Sequence, residues 1–93
     1  MSTLKDKPRP SHPALAWREV GGEVVLVDPT QADTIVRVFN DVAGLIWMRL
    51  DGQHDLATIA SQLAVEFDAP ESDIQADVLA FVDELAGKGV LIL

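Results

Sequence analysis

Two histidines and a set of acidic residues are the side chains of this sequence that could bind a metal ion or move a proton. His12 lies in a proline-rich stretch and His54 in a predicted turn, and neither has a second histidine three or four positions away. Zinc sites on helices use such a spacing, so the histidines predict no metal site. The acidic residues lack the order of an EF-hand loop, and we interpret them as a solvated helix face or a surface that steers a charged partner. They are Asp68, Glu71, Asp73, Asp77, Asp83 and Glu84.

The sequence also lacks the short motifs on which many active sites are built. It has no Gly-x-Ser-x-Gly, no phosphate-binding loop and no dinucleotide-binding glycine motif. It has no cysteine, which excludes thiol catalysis, disulfide bonds and cysteine-ligated zinc. We therefore expect a protein that is not an enzyme and uses no metal ion or cofactor, so that its function depends on a binding surface.

Composition limits the kind of partner. A chain of 93 residues with 48% hydrophobic and 24% charged residues predicts one small globular domain. No apolar run approaches the roughly 20 residues needed to span a bilayer, and no secretory signal is visible, so we expect a cytoplasmic protein without a membrane partner. Fifteen acidic against seven basic residues give a formal charge of −8. This charge disfavours nucleic acid, whose binding depends on neutralising phosphates, and is more compatible with a polar or basic peptide.

The first part of the chain predicts three strands. Residues 1–13 contain three prolines and three basic residues, and we interpret them as a flexible arm that precedes a single domain at 14–93. Residues 15–20 and 23–27 read as strands joined by Gly21 and Gly22, which permit the positive φ of a hairpin turn. After a polar loop, residues 34–39 form a third strand rich in β-branched and aromatic types. Trp17 and Trp47 are expected to be core anchors.

The second part predicts three helices. Asn40 is expected to cap a helix that ends near Gly52, and Asp55 to cap a second helix at 56–67. Ser72 is predicted to cap a third helix in a capping box with Gln75. Residues 90–93 form a short apolar end that could act as a small wing. The fold class is therefore α+β, with a three-stranded antiparallel sheet followed by a three-helix winged helix-turn-helix unit.

The third predicted strand is expected to lie at an edge of the sheet. Short connections favour the strand order one-two-three, which leaves one side of residues 34–39 without a neighbour. Proteins usually protect such an edge with charge or proline, and this strand offers only Arg37 for that purpose. The edge could accept an extended peptide as an additional strand, next to the third helix, and it also favours pairing between two copies as a homodimer.

Three segments in order resemble the PqqD-like family. They are F-N-D-V-A-G-L-I-W-M-R-L-D-G at 39–52, I-A-S-Q-L-A-V-E-F at 59–67 and D-V-L-A-F-V-D-E-L-A-G-K-G-V-L at 77–91. The resemblance covers roughly residues 14–93. It implies a recognition element for ribosomally made precursor peptides, in which the leader segment adds to the third strand and lies in a groove against the third helix. The domain then delivers the peptide to a radical SAM enzyme or a leader peptidase, in coenzyme PQQ, lasso-peptide or other pathways.

Carried onto this chain, the resemblance gives a set of candidate peptide-binding residues. Those on the strand are Thr34, Ile35, Val36, Arg37, Val38 and Phe39, and those on the helix are Ile74, Asp77, Val78, Phe81, Glu84 and Leu85. The main alternative is a winged-helix DNA-binding regulator, which would need a basic recognition helix, whereas the third helix is acidic. A structural subunit that binds an enzyme but no peptide is a further alternative.

Overall fold

The structure is a computed structural model that describes residues 1–29 and 35–93. It confirms the α+β class, because an antiparallel sheet of three strands is followed by three helices. Two short strands, from the two ends of the chain, form a separate pair. In chain order the elements are β1 Arg9–Pro10, β2 Ala16–Val20, β3 Glu23–Asp28, β4 Ile35–Asn40, α1 Asp41–Trp47, α2 Leu56–Phe67, α3 Glu71–Gly87 and β5 Leu91–Ile92.

The main sheet has the order β2-β3-β4, as predicted. Gly21 and Gly22 join β2 to β3 with φ of 58° and 84°, values at which a side chain would be strained. In the register, Val25 lies opposite Val38 and Val24 opposite Phe39. The polar loop predicted at 28–33 lies mostly outside the described residues. The side chain of Asn40, which was predicted to cap α1, is also not described. Asn40 is the last residue of β4.

The two faces of the sheet have different surroundings. On the inner face, Val24 and Leu26 are buried and belong to the core. On the outer face, Val36 and Val38 are 59% and 57% exposed. Trp17 was predicted to anchor the core, and this is wrong, because it is 45% exposed. It lies on β2, whose five residues are all exposed, while α1 packs over β3 and β4.

Helix α1 approaches the sheet closely because of Gly44. A Cβ atom at Gly44 would lie 3.2 Å from the carbonyl oxygen of Phe39 and 3.2 Å from Cγ2 of Val24. The helix ends at Trp47, earlier than predicted, and the chain continues in tight turns to Leu50. Trp47 is 2% exposed, which confirms it as a core anchor.

Helices α2 and α3 pack against each other and complete the core. Asp55 caps α2, since its side chain accepts a hydrogen bond from the backbone N–H of Thr58 at 2.8 Å. The cap predicted for α3 is wrong. The helix begins at Glu71, one residue before Ser72, and Pro70 occupies the N-cap position without a side-chain hydrogen bond. A proline before the first turn supplies a suitable backbone, so the Ser-x-x-Gln pattern is not used.

The N-terminal segment, which was predicted as a flexible arm, packs along the helices. The carbonyl oxygens of Leu4 and Asp6 accept hydrogen bonds from backbone N–H groups at the start of α2. Ser2 is 7% exposed, and its N–H donates to Oδ1 of Asp83 at 2.5 Å. β1 pairs with β5 in an antiparallel register. The prolines of this segment do not prevent it from pairing through its other backbone groups.

The assignment of the three helices to a winged helix-turn-helix unit, with β5 in the wing, stays a prediction. Over the ranges 1–29 and 35–93, no helix has both the length and the apolar character required to cross a membrane.

Candidate functional site

The open side of β4 is the first component of the candidate site. β4 pairs with β3 along one side, and in the described part of the chain no strand pairs with its other side. In an antiparallel strand, the N–H and C=O groups of alternate residues point to opposite sides. About half of the six residues of β4 therefore direct their backbone groups outward, where an extended chain could pair with them.

Helix α3 lies next to this edge, and a groove of about 440 Å³ separates the two elements. A second cavity of about 320 Å³ continues it between α1 and α3, and both contain Ala43, Phe81 and Glu84 in their walls. We call the continuous depression the β4–α3 groove. Its walls are formed by Val36, Arg37, Val38, Phe39, Val42, Ala43, Ile46, Asp77, Ala80, Phe81, Glu84, Leu85 and Lys88.

Aromatic contacts fix the floor of the groove. The rings of Phe39 and Phe81 meet edge to face, with centroids 5.2 Å apart and an interplanar angle of 82°. The ring of Phe39 also lies 5.8 Å from that of Trp47. Because Phe39 belongs to β4, Trp47 to α1 and Phe81 to α3, this cluster holds the three elements that border the groove in one arrangement.

Three charged side chains lie at one end of the groove. Lys88 Nζ donates to Oε1 of Glu84 at 2.8 Å, one helical turn apart. This hydrogen bond lowers the pKa of the Glu84 carboxyl below its ordinary value, with a smaller contribution from the charge of Arg37. Arg37 is half-buried, and its Nε is buried without a hydrogen-bond partner among the described residues. Glu84 is therefore ionised at neutral pH, and Arg37 stays available to an incoming group.

The structure brings most of the predicted site residues together. Seven line the first cavity and Asp77 lines the second. Ile74 and Val78 are instead core residues, 5% and 0% exposed, because they lie on the buried side of α3. Ile35 contributes backbone to β4, and Thr34 lies outside the described residues. The seven are Val36, Arg37, Val38, Phe39, Phe81, Glu84 and Leu85.

Sequence reasoning missed part of the groove. Ala43 and Ile46 of α1 and Lys88 at the end of α3 line it, and none of them was predicted. Lys88 could have been found, since it stands four residues after Glu84 and such pairs meet on a helix. The contribution of α1 had no comparable signal, because it depends on how α1 packs on the sheet. Within the described ranges, no group of three or more histidine or acidic side chains is arranged to hold a metal ion.

Comparison with known proteins identifies the family. The family model PqqD, described as coenzyme PQQ synthesis protein D, matches residues 23–91. The chain belongs to the PqqD family. The matched range contains β3, β4 and all three helices, and therefore every described element that borders the groove.

Several curated relatives are similar to the chain and carry the name PqqA binding protein. One from Rhizobium meliloti (strain 1021) is 39% identical over 72 residues, which are 77% of this chain and 69% of the relative. One from Gluconobacter oxydans (strain 621H) is 43% identical over 61 residues, 66% of this chain and 64% of the relative. One from Xanthomonas euvesicatoria is 44% identical over 52 residues, which are 56% of each chain. The chain thus spans little more than half of this last relative. No solved structure shows significant similarity to the chain.

Proposed function

We propose that this protein is a non-catalytic peptide chaperone that binds the leader segment of a ribosomally made precursor peptide. The observation that carries the proposal is the edge of β4, with which no strand in the described part of the chain pairs, beside the β4–α3 groove. An extended peptide gains backbone hydrogen bonds from such an edge, while a neighbouring groove accepts its alternate side chains. The names of the relatives, PqqA binding protein, support a peptide partner and make PqqA the first candidate.

The chemistry of the groove agrees with a peptide ligand. Its floor is aromatic and apolar through Phe39, Phe81 and Leu85, and charged groups stand at its rim. Apolar side chains of a guest would bury surface at roughly 25 cal/mol per Å². The outward backbone groups of β4 would supply pairing that does not depend on sequence, so selectivity would come from the side chains that enter the groove.

We further propose that the bound peptide is presented to a modifying enzyme, either a radical SAM enzyme or a leader peptidase. The family description, which refers to coenzyme PQQ synthesis, supports a place in a biosynthetic pathway. Binding through one edge and one groove would leave the other faces of the domain available to an enzyme. Among them is the side of the sheet formed by β2, where Val20 is exposed.

A titration tests peptide binding. Isotope-labelled protein is titrated with a synthetic PqqA peptide, and backbone amide shifts are followed. We expect the largest shifts in β4 and along α3 from Asp77 to Lys88, with small shifts in β2 as the internal control. Saturable binding that shifts only residues of β2 or of the N-terminal segment would contradict the proposed site, and absence of binding by every precursor peptide of the pathway would contradict the function.

A second experiment tests presentation. The rate at which the modifying enzyme of the pathway acts on its precursor peptide is measured with and without the domain. We expect the domain to raise the rate at low peptide concentration, and a variant with a blocked groove, Ala43→Trp, to lose this effect. Ser61→Trp, at an exposed position on α2, serves as the matched control. Equal rates with and without the domain would contradict presentation.

A further inference from the structure

The β4–α3 groove is not uniform in charge along its length. At one end, the cations Arg37 and Lys88 accompany a single carboxylate, Glu84, so two positive charges against one negative leave one positive charge. At the other end the lining includes Asp77 and Glu84 and no cation. The positive end is notable in a chain whose formal charge is −8.

Arg37 is the cation of this groove that forms no ion pair with a side chain that the structure describes. Glu84 binds Lys88 at 2.8 Å, and among the side chains that the structure describes no carboxylate lies within ion-pair distance of the Arg37 guanidinium. Its Nε is buried without an acceptor in that same part of the chain. A buried donor that is left without a partner destabilises the protein, and a ligand that supplies an acceptor there removes this destabilisation.

We propose that the groove selects extended peptides that place a carboxylate side chain against Arg37. This inference rests on the proposed function and specifies the chemistry of the guest peptide. The planar guanidinium matches a carboxylate through two parallel hydrogen bonds, which Lys88 nearby reinforces by its charge. Asp77 disfavours an acidic residue at the other end. The charge order therefore sets one orientation of the guest, with its acidic residue over Arg37 and neutral or basic residues over Asp77.

A displayed library of random 12-residue peptides tests this selection. Wild-type protein and the variant Arg37→Glu are each used to select peptides, and their sequences are aligned. We expect one position to be enriched several-fold in Asp and Glu with the wild type, and in Lys and Arg with Arg37→Glu. Arg18→Glu is the matched control, since Arg18 is an exposed strand residue away from the groove, and its selected peptides should resemble those of the wild type.

Synthetic peptides from the selection give the quantitative test. Changing the enriched acidic residue to Lys should weaken binding to the wild type by about tenfold or more, and Arg37→Glu should recover most of that loss. If Arg37→Glu does not fold, as judged by circular dichroism, then Arg37→Gln and Lys88→Glu are used, and each should reduce the preference for acidic peptides. Peptides that bind in the groove with no preference for charge would overturn this inference and leave the proposed function standing. Failure to select any peptide, or binding outside β4 and α3, would overturn the proposed function.

Discussion

Phe39 and Phe81 meet edge to face with their ring centroids 5.2 Å apart, and this contact joins the edge strand β4 to helix α3 across the floor of the groove. The two residues are 42 positions apart in the chain (81 − 39). One contact thus serves both the fold and the candidate site, because it sets the spacing between the unpaired backbone and the helix beside it.

Truncating this contact should weaken both peptide binding and the stability of the fold. Phe81→Ala removes the apolar floor of the groove, and we expect affinity for the leader peptide to fall by about tenfold or more, measured by fluorescence anisotropy. Because Phe81 is only partly buried, we expect its removal to lower the free energy of unfolding by about 1–3 kcal/mol, less than for a fully buried phenylalanine.

Leu79→Ala is the matched control for Phe81→Ala. Leu79 is also a partly buried residue of α3, but it does not line the groove. Its carbonyl oxygen accepts a hydrogen bond from the side chain of Ser2 at 3.3 Å. We expect a comparable loss of stability with unchanged peptide affinity. Equal losses of affinity in the two variants would show that general destabilisation, and not the groove floor, controls binding.

Substitution by alanine should have opposite effects on stability at Gly44 and at Gly87. Gly44→Ala places a methyl group 3.2 Å from the Phe39 carbonyl oxygen and from a buried valine, neither of which can move freely. We expect it to lower the free energy of unfolding by about 1–3 kcal/mol in chemical denaturation. Gly87→Ala meets no atom within 4 Å and should raise it by roughly 0.5–1 kcal/mol. Stabilisation by Gly44→Ala would show that α1 is not held this close to the sheet.

Alanine substitutions at Asp55 and Ser72 compare a helix cap that the structure contains with one that only the sequence predicted. The Asp55 side chain accepts the Thr58 N–H at 2.8 Å, so Asp55→Ala should lower Tm. Ser72 lies within the first turn of α3 and makes no cap, so Ser72→Ala should leave Tm almost unchanged. Thermal unfolding followed by circular dichroism measures both, and a larger loss in Ser72→Ala would mean that α3 begins at the residue predicted from sequence.

Acid should weaken the attachment of the N-terminal segment. Hydrogen bonds from Ser2, first of all from its backbone N–H, lower the pKa of the Asp83 carboxyl below its ordinary value of 3.8. A carboxyl with a lowered folded-state pKa stabilises the fold above its unfolded-state value, and this stabilisation disappears as the pH falls through the folded-state value. The unfolding free energies of the wild type and of Asp83→Asn should therefore differ at pH 6 and converge as the pH falls below the ordinary value of 3.8. A difference that does not change with pH would contradict an ionic role for Asp83.

The sequence was sufficient to predict the main sheet and the three helices, but not the β1–β5 pair or how the faces of the elements meet. The Gly21–Gly22 turn and the β-branched and aromatic residues located β2, β3 and β4, and the edge position of β4 followed from short connections, because these features are local. Trp17 was misassigned because a strand pattern does not reveal which strands the helices cover. Ser72 was misassigned because two residue types, Pro70 and Ser72, compete to begin one helix, and the local sequence favours both.

The candidate site shows the same division between local and long-range information. The residues of β4 and the outer side of α3 were predicted correctly as neighbours, from the edge strand and the family resemblance. Ile74 and Val78 were included wrongly, since a helix of 17 residues has several sides and its apolar stripe faces the core. Ala43 and Lys88 were missed because the groove arises from the packing of three elements.

Hydrogen exchange of the β4 amides tests the central claim most directly. In the free protein, the amides of β4 that point away from β3 should exchange rapidly, while those bonded to β3 are protected. Saturation with the leader peptide should protect the outward amides, because the peptide pairs with them as a further strand. Protection unchanged along β4 in a saturated complex would contradict strand addition.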